Sequence, residues 1–578
     1  MSIAPLVRVD MVAALADRDR LLAELQTLGV VHLDVLDRTP PEAVDAGFRA
    51  ACAWLASAPQ RRRPAIAPPD FDAAAVTREA LALREQRRML DEERAALTAR
   101  MREVELWGRW TFRSISEHPQ LRLWFFKLPA RALTLLDGHI WHEVRRVGGE
   151  HWVVIVAAEE PRLPLPRVHI GARSLADLEA RLAEVDTAID DIEAARTSLT
   201  RWLPALEQAR ERLADAVARA AVAANVDLAG PVFALSGWAP AAALRRLQGF
   251  AEASGAALLA RPPASDEQPP TLLDNPPRWR AGEALVQFFV TPDYRAWDPS
   301  ALVAASFVFF FAVIVSDALY GLALLVLVLA LGRRLRRSEG GGQLRRMGLL
   351  LALATLVWGV LVGVYGGAPP PAPWLARWQL IPGGDLDIML TLSIAIGLVH
   401  LALANAIAAW RLWPARPFWG RIGWIVIFLA AGLAFGWPQM RPVAAWLGGA
   451  GLLVVLFGSS ARSGWGRRLR DGLPQAARLV SALGDTMSYL RLFALALAGS
   501  ALAAAFNGLA RDAWTVPGAG AVLGLLVLVI GHSLNLALSV ASGVVHGLRL
   551  NYIEFFGWGL WGEGRPFRGF RRCAGEPG

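Results

Sequence analysis

Residues 478–508 read RLVSALGDTMSYLRLFALALAGSALAAAFNG, an apolar stretch that opens at Arg478 and carries one further arginine, Arg491, well away from either end. A bilayer core takes about 20 helical residues, so this stretch is long enough to cross one. A charged side chain at such depth costs roughly 3 kcal/mol or more and as a rule marks function. Helical spacing puts Gly484, Ser488, Ala494, Ala498 and Ala505 on the face of Arg491, with Leu495 and Leu502 alongside. That face is mostly small, so another helix can pass close to the guanidinium.

The next apolar segment, 518–548, carries His532, Asn535, Ser539, Ser542 and His546, and Arg549 follows it, all at 3-4-3-4-3 spacing. They form one polar stripe on a Leu/Val/Ala helix. Polar contacts between helices would explain such a stripe. So would the wall of a hydrated path, and the stripe holds groups that relay protons. The acids of the second half are Asp317, Glu339, Asp385, Asp387, Asp471, Asp485, Asp512, Glu554, Glu563 and Glu576. None shares a helical face with Arg491. The titrating carboxylate is therefore expected from a partner.

Further apolar segments lie near 300–332, 344–366, 389–410, 421–437 and 441–459. The connections 333–346, 411–421 and 462–478 and the tail 565–572 hold 18 arginines, and the alternate connections hold Arg377, Arg441 and Arg511 alone. The positive-inside rule places the rich set in the cytoplasm. A single crossing by 300–332 would put the first half outside. The N-terminus lacks a basic stretch followed by an apolar core, so no signal peptide is expected. The 33-residue segment is accordingly expected to double back near Asp317–Gly321. The fold class is then an α-helical membrane protein with about eight transmembrane helices and an N-terminal cytoplasmic α+β and coiled-coil arm. It is expected to be a multi-pass cell-membrane protein with both termini cytoplasmic.

Composition agrees. Of 578 residues, 54% are hydrophobic and 19% charged, with mean hydropathy +0.35. That excludes a disordered chain and an ordinary soluble enzyme. Residues 1–300 carry a net charge of −4 and 301–578 a net of +13. The high isoelectric point thus belongs to the membrane half, and no nucleic-acid partner is implied. Cys52 and Cys573 make no disulfide framework.

In residues 1–297 the pattern opens as βαβ, with strands at 4–10 and 30–35 around a helix at 13–28. A loop rich in Pro and Arg covers 58–69. Leu83, Leu90, Leu97 and Val104 recur every seven residues. Leu178, Leu182, Val185, Ile189, Ile192, Leu199, Leu203, Leu206, Leu213 and Val217 follow at 4-3 spacing, interrupted by Arg196 and Arg210. The two stripes predict an antiparallel hairpin, about 75–106 and 175–217, with a kink at Pro204. A lobe with strands such as Trp152–Val156 sits at its tip, and 231–262 forms an α/β unit at its base. The membrane domain is 298–578. No Walker loop, metal-spaced His pair or CxxC is present, so neither cofactor nor metal is expected.

Ser488–Ala498, SYLRLFALALA, resembles the SYLRLxALxLA signature of the large membrane stator subunit of rotary V/A-type ATPases, subunit a in eukaryotes and subunit I in prokaryotes. His546–Phe556, HGLRLNYIEFF, is similar to its HxLRLxYVEFF element, and Gly564–Phe567 to its glycine-rich tail. Asp317–Gly321 resembles GDxGYG, with Ser316 and Leu319 where Gly is usual. Pro292, Tyr294, Asp298 and Pro299, and Gly237–Pro240, are supporting matches. The resemblance favours the prokaryotic subunit I, since Gly499 and Ser539 stand where eukaryotic members carry His and Glu. It implies a non-catalytic subunit whose Arg491 faces a rotor ring of small proteolipids, each with a carboxylate. It also implies ion half-channels, assisted by Arg549 and lined from His532, Asn535, Ser539, Ser542, His546, Ser488 and Glu554. Peripheral-stalk subunits, a central-stalk ring adaptor and the lipid bilayer are the implied partners. Transport of H⁺ or Na⁺ would be coupled to ATP hydrolysis or synthesis on other subunits. The competing reading is a stand-alone ion transporter or channel with a coiled-coil regulatory domain.

Overall fold

A computed structural model describes residues 2–34, 46–59, 71–107, 120–168, 174–335, 340–381, 385–462, 464–560 and 562–572. Most of the loop expected at 58–69, together with Cys573, Glu339 and Glu576, lies outside them. The chain forms two units: Met1–Val9, Trp238–Gln248 and Leu259–Arg568 in one, Asp10–Gly237, Gly249–Leu258 and Gly569–Gly578 in the other.

The opening residues form β1 (Leu6–Ala14), α1 (Arg18–Leu28) and β2 (His32–Leu33), so the first strand runs further than its sequence pattern implied. Two helices follow, α2 (Ala46–Ala56) and α3 (Ala73–Glu105). Asp72 caps α3 by accepting from the Ala75 N–H at 2.9 Å. The lobe after α3 is a three-stranded antiparallel sheet of β3 (Arg122–Pro129), β4 (Ile140–Val147) and β5 (Glu150–Ala157), in the order β3-β5-β4. Period-2 alternation buries β3 and β5 on both faces. Phe126, Leu128, Val153 and Ile155 pack on one side, and Phe125, Trp152 and Val154 against Trp107 on the other.

Helix α4 (Leu175–Leu199) starts at a capping box of Ser174 and Asp177. It runs antiparallel to α3 around Leu97, Val104, Leu178, Val185 and Ile189. Salt bridges Glu93–Arg181 and Arg94–Asp186, both 2.8 Å, and Arg87–Glu193, 3.3 Å, fix the direction. The expected kink at Pro204 is a full break. A 3₁₀ turn over Thr200–Trp202 separates α4 from α5 (Leu203–Ala224), and Pro204 lies in the first turn of α5, where its missing N–H leaves no intrahelical bond unmade. Beyond the break, Leu199, Leu203 and Leu206 meet Ala51 and Leu55 of α2, a helix the heptads did not reveal. Arg196 interrupts the stripe because its guanidinium stacks 4.6 Å from the Trp54 ring and donates to the Trp54 carbonyl.

Strands β6 (Asp227–Ala229) and β7 (Val232–Pro240), helix α6 (Leu244–Ser254) and strand β8 (Ala257–Arg261) come next. Strands β2, β7, β1 and β8 pair in that order, with β6 added to β7. Arg261 then binds Glu267 through both carboxylate oxygens, at 2.8 and 2.5 Å. Those bonds, with the Ala264 N–H, pull the Glu267 carboxyl from its usual 4.5 down to about 2.

After α7 (Arg280–Phe289), α8 (Ser300–Val315) ends at Ser316, whose φ of 47° is left-handed, and Asp317 caps α9 (Ala318–Ala330). The chain reverses there. Helix α10 (Gly341–Val362) lies between the two legs. Met347 packs with Ala304 and Phe307 of α8, while Gly348 faces Val328 of α9 and Gly359 faces Asp317 and Ala318. Helices α11 (Leu386–Leu412), α12 (Pro417–Gly436) and α13 (Arg441–Gly458) follow. Glycines let α12 and α13 approach closely: a Cβ on Gly423 would fall 2.7 Å from the Gly451 carbonyl oxygen. The next helices are α14 (Trp465–Ala477), α15 (Leu479–Ser488), α16 (Leu490–Trp514) and α17 (Gly520–Arg549), ending in a π-helical turn over Leu550–Phe555. Among the described residues, six helical segments are long and apolar enough to cross a membrane, and α8 and α9, of 16 and 13 residues, are shorter apolar helices. The tail is laced to the membrane unit by Thr271 N–H to Arg565 O at 2.6 Å and Gly564 N–H to Thr291 O at 2.8 Å.

Leu206 is fully buried. Leu206→Ala is expected to cost about 2–5 kcal/mol, read as faster amide hydrogen exchange in 46–56 and 199–206 with exchange in α16 unchanged. Glu267 holds a depressed carboxyl, so its stabilisation is complete above 4.5 and is lost as pH falls towards about 2. The stability gap between the protein and Glu267→Gln, followed by denaturant titration, should narrow over that window.

Candidate functional site

A turn-like residue, Tyr489, separates α15 from α16 and places Arg491 in the first turn of the latter. Tyr489 is buried, and its hydroxyl bonds His400 Nδ1 of α11 at 2.7 Å. The His400 ring stacks on Phe555, with centroids 4.5 Å apart. This packing ties the base of α16 to the π-helical turn. That turn delivers Glu554, 2% exposed, so that its Oε1 lies 3.9 Å from Arg491 Nη1.

A carboxylate of the chain's own thus lies beside Arg491, although none shares its helical face. Glu554 shares no helix with Arg491, which is why counting residues along one face missed it. It arrives from the element after α17, five residues beyond Arg549. At 3.9 Å the pair attracts without a hydrogen bond. Arg491 Nη1, Glu554 Oε2 and His546 Nδ1 are all buried without a hydrogen-bond partner among the described residues. His546 lies near enough to feel the charges of Arg491 and Arg549, and Ser488 lies beside Glu554. Ser488 Oγ donates to Gly484 O at 3.1 Å. Arg549 itself is exposed at the end of α17.

The outer surface of α16 is small-sided. Ala494, Ala498, Ala501 and Ala505 are exposed on the side that carries Arg491, and Gly484 of α15 is exposed too. No described helix covers those alanines.

A second polar cluster sits further along the same two helices. His532 Nδ1 bonds the Tyr320 hydroxyl at 2.9 Å and its Nε2 meets Asn507 Oδ1 at 3.1 Å. Asn535 Nδ2 donates to the Tyr320 oxygen and to Gly499 O, both at 2.8 Å. Asn507 Nδ2 donates to Gly366 O at 2.8 Å. Asp317 anchors this group by accepting N–H bonds from Leu319, Tyr320, Gly366 and Gly367, at 2.9–3.2 Å. Seventeen residues from His532 to Arg549 span about 25 Å of helix. The stripe on α17 is therefore split: His532 and Asn535 in one cluster, His546 and Arg549 in the other. Ser539 is buried against Gly499, and Ser542 is half-buried between the clusters. On the side facing α8, Phe311 packs on Gly543 and Phe307 on Gly547.

Tyr320, Asn507 and Asp317 were not among the residues picked from the sequence as lining the site. Asp317 and Tyr320 belonged to a recognised element, but only the fold carries them to His532. Asn507 falls two residues beyond the small face of α16. His532 and Asn535 meet polar partners on α9 and α16, and His546 lies near Arg491 and Arg549.

No family model matches the chain. Curated relatives do. A V-type ATP synthase subunit I of Chlamydia pneumoniae is 28% identical over 59% of this chain and 61% of its own length. An A-type ATP synthase subunit I of Methanocaldococcus jannaschii is 26% identical over 68% of this chain and 63% of its own. The chain thus spans about six tenths of the length of these two relatives. A V-type ATP synthase subunit I of Treponema pallidum is 25% identical over 96% of this chain and 97% of its own. Among solved structures, the cytoplasmic N-terminal domain of a V-ATPase subunit I aligns over 44% of this chain and all of that domain at 22% identity, with a TM-score of 0.22.

Tyr320→Phe removes the hydroxyl shared by His532 and Asn535. The expected cost is about 0.5–2 kcal/mol, typical of polar contacts between membrane helices. Combined with His532→Phe, the losses should be less than additive in thermal unfolding of the detergent-solubilised chain. By these matches, one of which runs over 96% of its length, this chain is similar to subunit I of the V-type and A-type ATP synthases.

Proposed function

We propose that the chain is the non-catalytic membrane stator subunit of a rotary V/A-type ATPase. Residues 298–578 form its ion-translocation domain and residues 1–297 a cytoplasmic arm. About eight spans, counting α8 and α9, leave both termini in the cytoplasm. The single observation that carries the reading is Arg491: a guanidinium on an exposed face of small residues in an apolar helix, with a buried nitrogen that makes no hydrogen bond among the described residues.

A cation so placed favours the ionised form of any carboxylate that passes it. A rotor ring of small proteolipids, each with a membrane carboxylate, would use the alanine face for close approach. Each ring carboxylate would release its ion beside Arg491. Between visits, Glu554 serves as the neighbouring negative charge and keeps the arginine from standing alone in the membrane. Ser488, Glu554, His546 and Arg549 line the way on one side. His532 and Asn535, joined by Tyr320 and Asn507, line it on the other, with Ser539 and Ser542 between them. The ion is H⁺ or Na⁺. Peripheral-stalk subunits and a central-stalk adaptor are the expected further partners, and nucleotide chemistry belongs to other subunits.

A second reading has one observation in its favour. Glu554 is a carboxylate of the chain's own beside Arg491, as a stand-alone transporter would need. A mild-detergent pull-down of the tagged chain separates the two. Recovery of a small proteolipid and nucleotide-binding subunits is expected, and recovery of the chain alone would favour the transporter.

Arg491→Ala should abolish ATP-driven ion uptake by vesicles while the complex still assembles; normal uptake would sink the stator role. Glu554→Gln should slow uptake about tenfold, as a loss of about 1.4 kcal/mol at the barrier does, without ending it.

A further inference from the structure

Two connections of the membrane unit, α11 to α12 and α13 to α15, share a composition. The first holds Trp410, Trp413 and Trp419 with Arg411, Arg416 and Arg421; all three tryptophans are exposed. The second holds α14, whose Trp465, Leu469 and Leu473 recur every fourth residue and are likewise exposed. It also carries Arg462, Arg467, Arg468, Arg470 and Arg478 against one acid, Asp471. Arg467 and Arg470 are exposed and lie off the Trp–Leu stripe. Exposed tryptophans beside arginines at the ends of apolar helices mark headgroup depth. A helix with a Trp/Leu stripe and an arginine flank lies in the plane of the interface. Contact with α13 holds it there: Phe457 meets the Trp465 ring with centroids 5.2 Å apart, and Gly472 packs directly on the Leu456 carbonyl.

Between the two connections lies a cavity of about 260 Å³. Its polar lining is Arg421, Gln475 of α14 and Ser459. Leu412, Pro417 and Trp424 supply the apolar wall. Arg421 Nη1 is held by two neutral oxygens, Asn405 Oδ1 at 3.1 Å and the Trp558 carbonyl at 3.0 Å. The volume is below the roughly 300–1,000 Å³ of sites for drug-sized ligands. It suits a phosphodiester group.

We propose that this cavity, between the ends of α11 and α13 and the interfacial helix α14, binds the phosphate of an anionic phospholipid headgroup. Arg421 and Gln475 contact the phosphate, and the arginines of α14 select anionic over zwitterionic lipid. A basic pocket between membrane helices at headgroup depth is suited to this. The proposal rests on the membrane reading of the chain and is independent of the stator role.

The full chain is reconstituted into vesicles of equal phosphatidylglycerol and phosphatidylcholine, re-extracted in mild detergent and weighed by native mass spectrometry. Retained phosphatidylglycerol should exceed phosphatidylcholine by about fivefold or more, the scale of one basic side chain near an anionic surface. Arg421→Gln should remove most of that preference. Because Arg421 also bonds Asn405 and Trp558, Gln475→Leu, which touches neither bond, is the second variant and should weaken retention as well. Arg377→Gln, on a different connection, should leave it unchanged. Equal retention of both lipids by the unaltered chain, or no change in either cavity variant, overturns the proposal. Displacement by excess inorganic phosphate would reassign the cavity to a soluble anion. A chain stripped from membranes by alkaline carbonate fails the membrane reading instead, before any lipid is counted.

Discussion

Arg491 has to be charged in surroundings that penalise charge, and much of the membrane unit is arranged around that one constraint. An arginine stays protonated at any accessible pH, so the penalty is met by neighbours rather than by titration. Glu554 supplies opposite charge at 3.9 Å. It reaches that position because the chain leaves α17 through a π-helical turn. Asn551 is buried there between Ser306 Oγ, at 2.5 Å, and Gly547 O, at 3.0 Å. Tyr552 donates to Leu285 O at 2.6 Å, and Trp558 Nε1 to Asp485 Oδ2 at 2.8 Å. Asp485 apart, the groups in these bonds are far in sequence from Arg491, and they hold the segment that brings Glu554 to it.

The same constraint accounts for the second cluster. Asp317 is buried in an apolar setting, and four backbone N–H groups converge on it. Two come from the start of α9 and two from the turn after α10, so the carboxylate joins the reversal of the chain to that turn. The turn in turn presents Gly366 O to Asn507, and Asn507 presents its carbonyl to His532. A single satisfied acid therefore organises a network that extends across α9, α16 and α17. Buried polar groups tolerate little else.

Much of this was legible in the sequence where one helix carries the pattern. The small face of α16, the polar spacing on α17, the heptads of α3 and α4 and the reversal near Asp317 all follow from period and composition. What was not legible depends on pairs of elements. No periodicity joins residue 491 to residue 554, or residue 320 to residue 532. Helix α2 escaped because its partners, Leu199, Leu203 and Leu206, continue a heptad that reads as part of a longer rod. The break at Thr200–Trp202 was placed at Pro204, since proline announces a disruption without saying on which side of it the helix stops. In fact a proline in the first turn begins the new helix.

The stripe on α17 teaches the sharpest lesson. On a helical wheel, His532 to Arg549 is one polar line, and one line invites a continuous path for an ion. Packing divides it. Toward α8, the rings of Phe311 and Phe307 close on Gly543, between the two clusters, and on Gly547, next to His546. Glycine at both positions is what lets the rings come so near. Toward α16, Ser539 is buried against Gly499. An ion at His532 thus has about 25 Å of helix to pass, with aromatic rings along one side of the way. The exposed alanine surface beside Arg491 is the side left open. Under the stator proposal, an ion would leave this chain at one cluster, travel on a carboxylate of the moving partner, and return at the other. A fixed arginine beside that route keeps the two clusters from short-circuiting, because the carrier must be ionised to pass it. Dividing the stripe is then what makes transport depend on rotation.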